Sequence, residues 1–187
     1  MIGTGAALTT ASFKFVAPGK VNANERAYFY FNRALKKSKK GDLSGAIDDY
    51  NQAIKIDSEY SQAYNNRGRL KDKKGDYYGA IDDFNQAIKF NPDYSLAYYN
   101  RAFSKENLGD KSGAFDDYTL AIKLDPDDPD LYINRGLLKD QKGDYSGAIN
   151  DFNQAIKIDP DDSLGYYNRA ISKENLGDES GAIDDYT

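Results

Sequence analysis

One asparagine recurs at a fixed place along this chain, and its amide can recognise another polypeptide. Because the asparagine amide both donates and accepts hydrogen bonds, it can pair with the backbone of an extended peptide whatever that peptide's sequence. Asparagine has a low propensity for helix interiors, so its regular recurrence indicates a specific role. The five residues are Asn32, Asn66, Asn100, Asn134 and Asn168. They predict a peptide-binding site.

A second recurring set combines an arginine, a lysine four residues later and an aspartate 16 residues after the arginine. This set is compatible with an anion-binding ladder, or with structural ion pairs whose side-chain stems cover apolar surface. We favour the structural interpretation, because a feature present in every unit is more often architecture than a site. The arginines are Arg33, Arg67, Arg101, Arg135 and Arg169, the lysines Lys37, Lys71, Lys105, Lys139 and Lys173, and the aspartates Asp49, Asp83, Asp117, Asp151 and Asp185.

Composition restricts the remaining chemistry. The 187 residues include no cysteine and no histidine. This removes disulfides, thiolate metal sites, cysteine nucleophiles and the commonest general base. Carboxylates are plentiful but recur with the period, so none is singled out as an acid–base pair. The sequence therefore predicts no catalytic residue, no metal site and no cofactor, and it indicates that the protein is not an enzyme.

The acidic segment 125–130 invites comparison with a calcium loop, because hard cations bind several oxygens. Its spacing does not fit the EF-hand pattern, since Pro129 occupies the third ligand place and no glycine stands at the sixth position. We expect instead that Asp128 caps the next helix and that Pro129 lies in its first turn.

Charge and hydropathy narrow the class of partner. With 25 basic and 30 acidic side chains the net charge is −5, which argues against a nucleic-acid or anionic-membrane surface. No apolar run approaches the ~20 residues that span a bilayer. The 40% of apolar residues is enough to bury a core, so we expect a folded chain whose partner is a protein or a peptide.

The pair Gly-Asp divides most of the chain into units of 34 residues, the signature of a repeat array. The units are 27–60, 61–94, 95–128, 129–162 and 163–187, the last one truncated at 25 residues. Units two and four agree at 23 of 34 positions, and unit five agrees with unit three at 21 of 25. This similarity between alternate units indicates that a block of two units was duplicated.

Each unit predicts two helices. In the first, a tyrosine and a small residue such as Tyr98 and Ala102 stand four apart on one face. Gly-Asp then ends this helix and begins the next, because glycine adopts the left-handed C-cap conformation and aspartate is a good N-cap. The second helix carries an apolar stripe that includes Ala46, Tyr50 and Ala53, typical of a face packed on a core.

A 34-residue helix–turn–helix with an aromatic, a small residue, Gly-Asp, Ala, an aromatic, Ala and Pro in this order resembles the tetratricopeptide repeat. The resemblance covers residues 27–187 and extends to the bacterial pattern Y-x-N-R-G…G-D…G-A-I-x-D-Y. It implies an all-α fold, a right-handed α-solenoid of tandem helix–turn–helix hairpins. The chain departs from the family at Ser58, where proline is usual, and at Gly45 and its equivalents. A glutamate there would complete a capping box, so we expect the second helices to begin less firmly.

The same resemblance implies where a ligand would lie. In tetratricopeptide arrays the first helices line a concave groove, and asparagine at the recurring place holds the ligand's main chain. The apolar residues spaced to face the groove are Phe31, Leu35, Tyr99, Phe103, Ile133, Leu137, Tyr167 and Ile171. The alternative is that these residues belong to the core and that the asparagine is inherited consensus. We favour the groove, because the tyrosine and alanine stripes already fill the core positions.

The function that the resemblance implies is a non-catalytic protein–protein interaction module that binds an extended or helical peptide segment in this groove. Two alternatives stay open: a self-associating structural scaffold, and an accessory region of a larger enzyme or assembly factor. A lysine–asparagine clamp for the C-terminal peptides of chaperones is not expected. Its places hold Phe31, Leu35, Leu96 and Asn100, and only Asn66 fits.

The segment before the array has features of an export signal. Residues 1–26 form a leader that differs from the units, and Val21-Asn22-Ala23 has the spacing that signal peptidase recognises. We therefore favour export to a periplasm or lumen over a cytoplasmic location, with a disordered leader as the alternative.

The truncated fifth unit leaves the apolar face of Ala182, Ile183 and Tyr186 uncovered. We expect a fragment of a longer array, or self-association through this uncapped C-terminal end.

Overall fold

The structure is a computed structural model that describes residues 22–187, so most of the predicted leader lies outside the described part. Two helices per unit follow one another along these residues, which contain no strand. The helices are α1 (Ala23–Lys39), α2 (Leu43–Ile56), α3 (Ser61–Lys73), α4 (Tyr77–Phe90), α5 (Ser95–Asn107), α6 (Lys111–Leu124), α7 (Pro129–Gln141), α8 (Tyr145–Ile158), α9 (Ser163–Asn175) and α10 (Glu179–Tyr186). The prediction of an all-α array of tandem hairpins is confirmed. None of the ten helices combines the length and apolarity needed to cross a membrane.

The first helix begins earlier than the repeat period predicts. It starts at Ala23, four residues before the first unit, because Asn22 caps it. The Asn22 Oδ1 accepts from the Glu25 amide at 2.8 Å, and the Glu25 carboxylate accepts from the Asn22 amide at 3.3 Å. This reciprocal pair is a capping box, which satisfies two amides at the start of the helix.

The Gly-Asp pair makes the turn inside each unit as predicted. Gly41 has a φ of +84°, and its four equivalents lie between +81° and +84°, a region that glycine enters without steric cost. Asp42 then accepts a 2.9 Å hydrogen bond from the amide of Gly45. The equivalent aspartates of the other four units make the same bond.

The second helix begins with a single side-chain bond from the Gly45 amide to the Asp42 cap. A Cβ at the position of Gly45 would lie 2.2 Å from Oδ2 of Asp42, so any other residue would require the capping carboxylate to shift. The same close approach occurs in every unit, at 2.1–2.3 Å. The second helices therefore keep a side-chain cap without the glutamate of a capping box.

The core of each unit is built from small residues and one aromatic ring. In unit one Ala34 and Ala46 are fully buried and Tyr50 is 1% exposed. Burying an aromatic ring of this kind stabilises the fold by roughly 2–3 kcal/mol. In unit two the aromatic is Phe84, and a Cβ on Gly68 would lie 2.7 Å from its ring. Glycine at this place lets the ring pack directly on the first helix.

The units pack in pairs, with units two and three and units four and five forming the tighter interfaces. The helix pairs α4–α5 and α8–α9 contact each other more extensively than α2–α3 and α6–α7. At both tight interfaces a serine bonds an aspartate of the preceding unit, Ser104 to Asp72 at 2.5 Å and Ser172 to Asp140 at 2.6 Å. Unit four carries the larger Leu138 at the serine's place. The smaller serine allows the closer approach, so the duplicated block is also a packing unit.

Candidate functional site

The recurring arginine, lysine and aspartate of each unit form one ion cluster. Arg101 donates from Nε at 2.8 Å and from Nη2 at 2.6 Å to the two carboxylate oxygens of Asp117, and Lys105 Nζ lies 2.8 Å from the same carboxylate. Asp117 is only 2% exposed, so two cations compensate a carboxylate that solvent does not reach. The equivalent residues of the other four units are paired in the same way.

The same arginine also joins neighbouring units. Nη1 of Arg101 donates to Asn85 of the preceding unit at 2.7 Å, and the guanidinium lies 5.4 Å from the centre of the Tyr98 ring. Arg67 and Arg169 bond asparagines of their preceding units in the same manner. In Arg67, Arg101 and Arg169 the atoms Nε, Nη1 and Nη2 all donate inside the array. These contacts join helices of two units and support the structural interpretation of the cluster.

Pairing with Arg33 lowers the pKa of Asp49. In unit one the hydrogen bonds from Arg33 hold the pKa of Asp49 below its usual value of 3.8, against burial, which raises it. Lys37 acts in the same direction as Arg33. Asp49 therefore stays ionised at neutral pH, and its pairing contributes a stability that depends on pH.

The recurring asparagines occupy different environments, although they share one place in the repeat. Asn32 and Asn134 donate from Nδ2 to the carbonyl oxygen four residues earlier, at 3.0 Å and 2.7 Å. Asn100 donates to Asn65 Oδ1 of the preceding unit at 2.9 Å. Asn66 is half-buried, and its side chain makes no hydrogen bond within residues 22–187. Of these four, Asn66 is the one whose whole amide is open to a ligand.

Asn168 is the exception among the five. It is 8% exposed, and its Nδ2 finds no acceptor in the part of the chain that the structure describes. Ile133 stands at the place that Asn65 occupies two units earlier, and its side chain offers no acceptor. A buried donor left without a partner costs about 1–3 kcal/mol. The atom is also inaccessible to a ligand in this conformation.

Two of the eight predicted apolar groove residues are exposed and five are half-buried. Phe103 is 46% exposed and Tyr167 is 55% exposed, while Tyr99 and Leu137 are half-buried. The Tyr99 ring lies 5.9 Å from that of Tyr118 in the second helix of its unit, so one face of Tyr99 packs on the core.

Of the other four predicted apolar residues, three are half-buried and one is buried. Phe31 is half-buried and stacks on Tyr60 with ring centres 4.9 Å apart. Ile133 is 2% exposed, so its side chain lies in the core. Leu35 and Ile171 are half-buried. The apolar residues next to the asparagines are therefore divided between core and surface, unit by unit.

Two adjoining cavities lie between the first helices of units one to three, and Arg69 and Lys73 border both of them. The first cavity measures about 330 Å³ and is completed by Leu35, Ser38, Lys39, Asn66 and Leu70. The second measures about 290 Å³ and is completed by Asp72, Phe84, Tyr99, Asn100 and Phe103. Five predicted residues, Leu35, Asn66, Tyr99, Asn100 and Phe103, thus line the two adjoining cavities.

Arg69, Lys73 and Asn65 were not predicted from the sequence. Arg69 and Asn65 do not recur, since the place of Arg69 holds Leu35 in unit one and Phe103 in unit three, and Lys73 recurs only as Lys39 of unit one. A pattern defined by repetition in every unit does not include them. The available signal was the opposite one, a charged or polar residue that breaks the repeat on the face predicted to bind.

The acidic segment at the start of α7 caps a helix, as predicted. Asp128 Oδ1 accepts from the amide of Asp130 at 3.0 Å, and Pro129 is the first residue of the helix. Burial raises the pKa of Asp128. Within the described residues no group of three or more acidic side chains is placed to hold a metal ion.

Comparisons with known proteins agree with this arrangement. Tetratricopeptide repeat models match residues 61–94 and 110–164, and a TPR repeat model matches residues 38–71. No curated protein matches the sequence.

Solved structures share the fold. A MamA crystal structure superposes with a TM-score of 0.78 at 25% identity, covering 87% of this chain and 88% of that one. YrrB, described as a TPR protein with an unusual peptide-binding site, has a TM-score of 0.72 at 22% identity and coverages of 85% and 82%. MamA from Desulfovibrio magneticus RS-1 has a TM-score of 0.79 at 17% identity and coverages of 88% and 93%. With its repeats matched by these models and its hairpins by these structures, the chain belongs to the tetratricopeptide repeat family and is a protein–protein interaction module.

Proposed function

We propose that the chain binds an extended or helical segment of a partner protein in the groove between the first helices of units one to three. The observation that carries this proposal is the pair of adjoining cavities, of about 330 and 290 Å³, lined almost entirely by first-helix side chains. Ligand pockets in proteins begin at about 300 Å³. Two such cavities side by side suit successive side chains of one peptide.

The chemistry of the lining supports the same proposal. Phe103 and Tyr99 offer apolar surface that a partner side chain would cover, and Phe103 is 46% exposed without such a cover. Asn66 in the adjoining cavity offers both a donor and an acceptor to a peptide backbone. An apolar contact beside a sequence-independent polar contact is the combination that extended peptides use for binding.

Peptide selection tests this proposal. Random peptides displayed on phage are selected on the chain, and their affinities are measured for the wild type, Asn66→Ala and Phe103→Ala. We expect each of the two variants to bind the selected peptides with an affinity lower than that of the wild type by about tenfold or more. Tyr78→Ala is the matched control, because Tyr78 is 75% exposed on α4 and borders neither cavity. Equal affinities for all four proteins would contradict the groove as the binding site.

We also infer that the module acts without catalysis and does not bind nucleic acid. Its recurring aspartates are each paired with an arginine and a lysine, so none is poised as an acid or base. The net charge of −5 opposes a polyanionic ligand. Binding of duplex DNA at physiological salt would contradict the second inference.

Self-association is a second candidate function, favoured by one observation. Tyr186 in α10 is 46% exposed, whereas the equivalent Tyr118 in unit three is fully buried in a cluster with Leu138 of the next unit. A cavity of about 570 Å³ lies beside Tyr186 and Tyr167. Sedimentation velocity over a range of concentrations tests this candidate. We expect a mass above the monomer that Ile183→Glu reduces; a monomer at every concentration would contradict it.

A further inference from the structure

Three cations gather where the two cavities meet. Arg69 and Lys73 lie one turn apart on α3 and border both cavities, and Lys39 in the last turn of α1 borders the first. All three side chains are exposed. They therefore place up to three positive charges along one short stretch of the groove.

These cations are not neutralised inside the protein. The arginines and lysines of the recurring clusters all pair with aspartates, but within residues 22–187 none of Arg69, Lys73 and Lys39 forms an ion pair. One carboxylate, that of Asp72, lines the second cavity beside Arg69 and Lys73 and accepts a hydrogen bond from Ser104. One carboxylate among three cations leaves this part of the groove positive, in a protein whose net charge is −5.

Arg69 also acts on the tyrosine hydroxyls around the groove. Burial raises the pKa of Tyr99 and of Tyr94, and the positive charge of Arg69 opposes that rise. The guanidinium thus exerts a positive potential on groups packed between units two and three. A cation beside partly buried surface interacts with an anion more strongly than one in open water.

Apolar surface flanks the cations on both sides. Leu35 and Leu70 line the first cavity, and Tyr99 and Phe103 line the second. A ligand crossing from one cavity to the other would meet apolar, cationic and apolar surface in turn. Guanidinium groups pair with carboxylates through two parallel hydrogen bonds, which gives this contact geometric specificity.

We propose that Arg69, Lys73 and Lys39 bind the side-chain carboxylate of a glutamate or aspartate in a partner segment, with an apolar partner residue on each side of it. This inference rests on the proposed function and names the class of segment that the groove selects. The occupant follows from charge complementarity. In units four and five the places of Arg69 and Lys73 hold only uncharged residues, Leu137, Gln141, Ile171 and Asn175, so an acidic segment is directed to units one to three.

The test uses the peptides selected on the wild-type chain, made with an acetylated N-terminus and an amidated C-terminus so that side chains supply their only carboxylates. Each acidic peptide is compared with its glutamine counterpart by fluorescence polarisation. We expect the change from glutamate to glutamine to weaken binding to the wild type by about tenfold or more. In Arg69→Gln/Lys73→Gln we expect the two peptides to bind alike.

Lys111→Gln/Lys123→Gln is the matched control, because it removes two charges from exposed positions of α6 outside both cavities. It should keep the preference for glutamate, and high salt should weaken that preference in the wild type. Circular dichroism checks that both double variants are folded.

The outcomes separate this inference from the proposed function. Peptides that lose affinity in Phe103→Ala but bind equally well with glutamate or glutamine would overturn the carboxylate site and leave the groove standing. Loss of binding on amidation alone would assign the cations to a terminal carboxylate and overturn the side-chain proposal. Selection of no peptide that depends on Phe103 would overturn both.

Discussion

Asn100 donates a 2.9 Å hydrogen bond to Asn65 across the interface between units two and three. Asn65 in turn donates to the hydroxyl of Tyr94 at 3.3 Å, and the amide of Asn65 is fully buried. At the equivalent interface between units four and five, Asn168 stands at the place of Asn100, and Ile133 stands at the place of Asn65. The asparagine amide at this place of the repeat is thus hydrogen-bonded between units two and three. Between units four and five its Nδ2 has no acceptor among the described residues.

This difference predicts opposite responses to one substitution. Asn100→Ala should lower the free energy of unfolding by about 1–2 kcal/mol, because it leaves the buried Asn65 oxygen without its donor. Asn168→Ala removes an unsatisfied amide and introduces a better helix former, so it should leave stability unchanged or raise it by up to about 1 kcal/mol. Urea unfolding of the two variants measures both values. Equal destabilisation by the two substitutions would contradict this account.

The arginine of the ion cluster should be required for stability. Arg101→Leu leaves the 2% exposed Asp117 with Lys105 alone, so we expect a loss of about 1–3 kcal/mol. Arg69→Leu is the matched control, because Arg69 is exposed and units one and four carry leucine at its place. Thermal melts compare the two variants. A melting temperature of Arg101→Leu above that of the wild type would mean that the arginine is retained for binding.

Acid should weaken the fold partly through Asp49. Hydrogen bonds from Arg33 hold its folded-state pKa below the usual 3.8. Its pairing therefore stabilises the fold above about pH 4 and is lost as the pH falls through the folded-state pKa. Asp49→Asn should be less stable than the wild type at pH 7, and the two should converge on acidification. Asp48→Asn, an exposed neighbour, should follow the wild type throughout. A constant gap down to about pH 2 would contradict the prediction.

The tighter pairing of units depends on a small residue in the later first helix. Ser104 is fully buried and bonds Asp72 at 2.5 Å. Ser104→Leu overfills this interface and removes the bond, so we expect a loss of about 1–3 kcal/mol. Ser112→Leu, at an exposed position of α6, should change stability by less than about 0.5 kcal/mol. Urea unfolding measures both, and a neutral Ser104→Leu would show that the serine does not set the approach of the units.

Structural features that depend only on neighbours within one unit could be predicted from the amino-acid sequence. The 34-residue period, the turn at Gly41-Asp42 and the alanine–tyrosine stripes predicted the helices, because these features depend on neighbours within one unit. The structural role of the arginine–aspartate pairs was predicted for the same reason, since Arg101 and Asp117 belong to one hairpin.

Features that depend on contacts between units required the tertiary structure. Each recurring asparagine lies next to the preceding unit, and its environment depends on whether Asn65 or Ile133 stands there. Likewise Arg69 became a candidate binding residue only when the packing of α1, α3 and α5 placed it between two cavities. The 34-residue period specifies the fold within a unit. Contacts between units join side chains about 34 residues apart in the sequence, and the residue types at these positions vary independently. These contacts shape the groove.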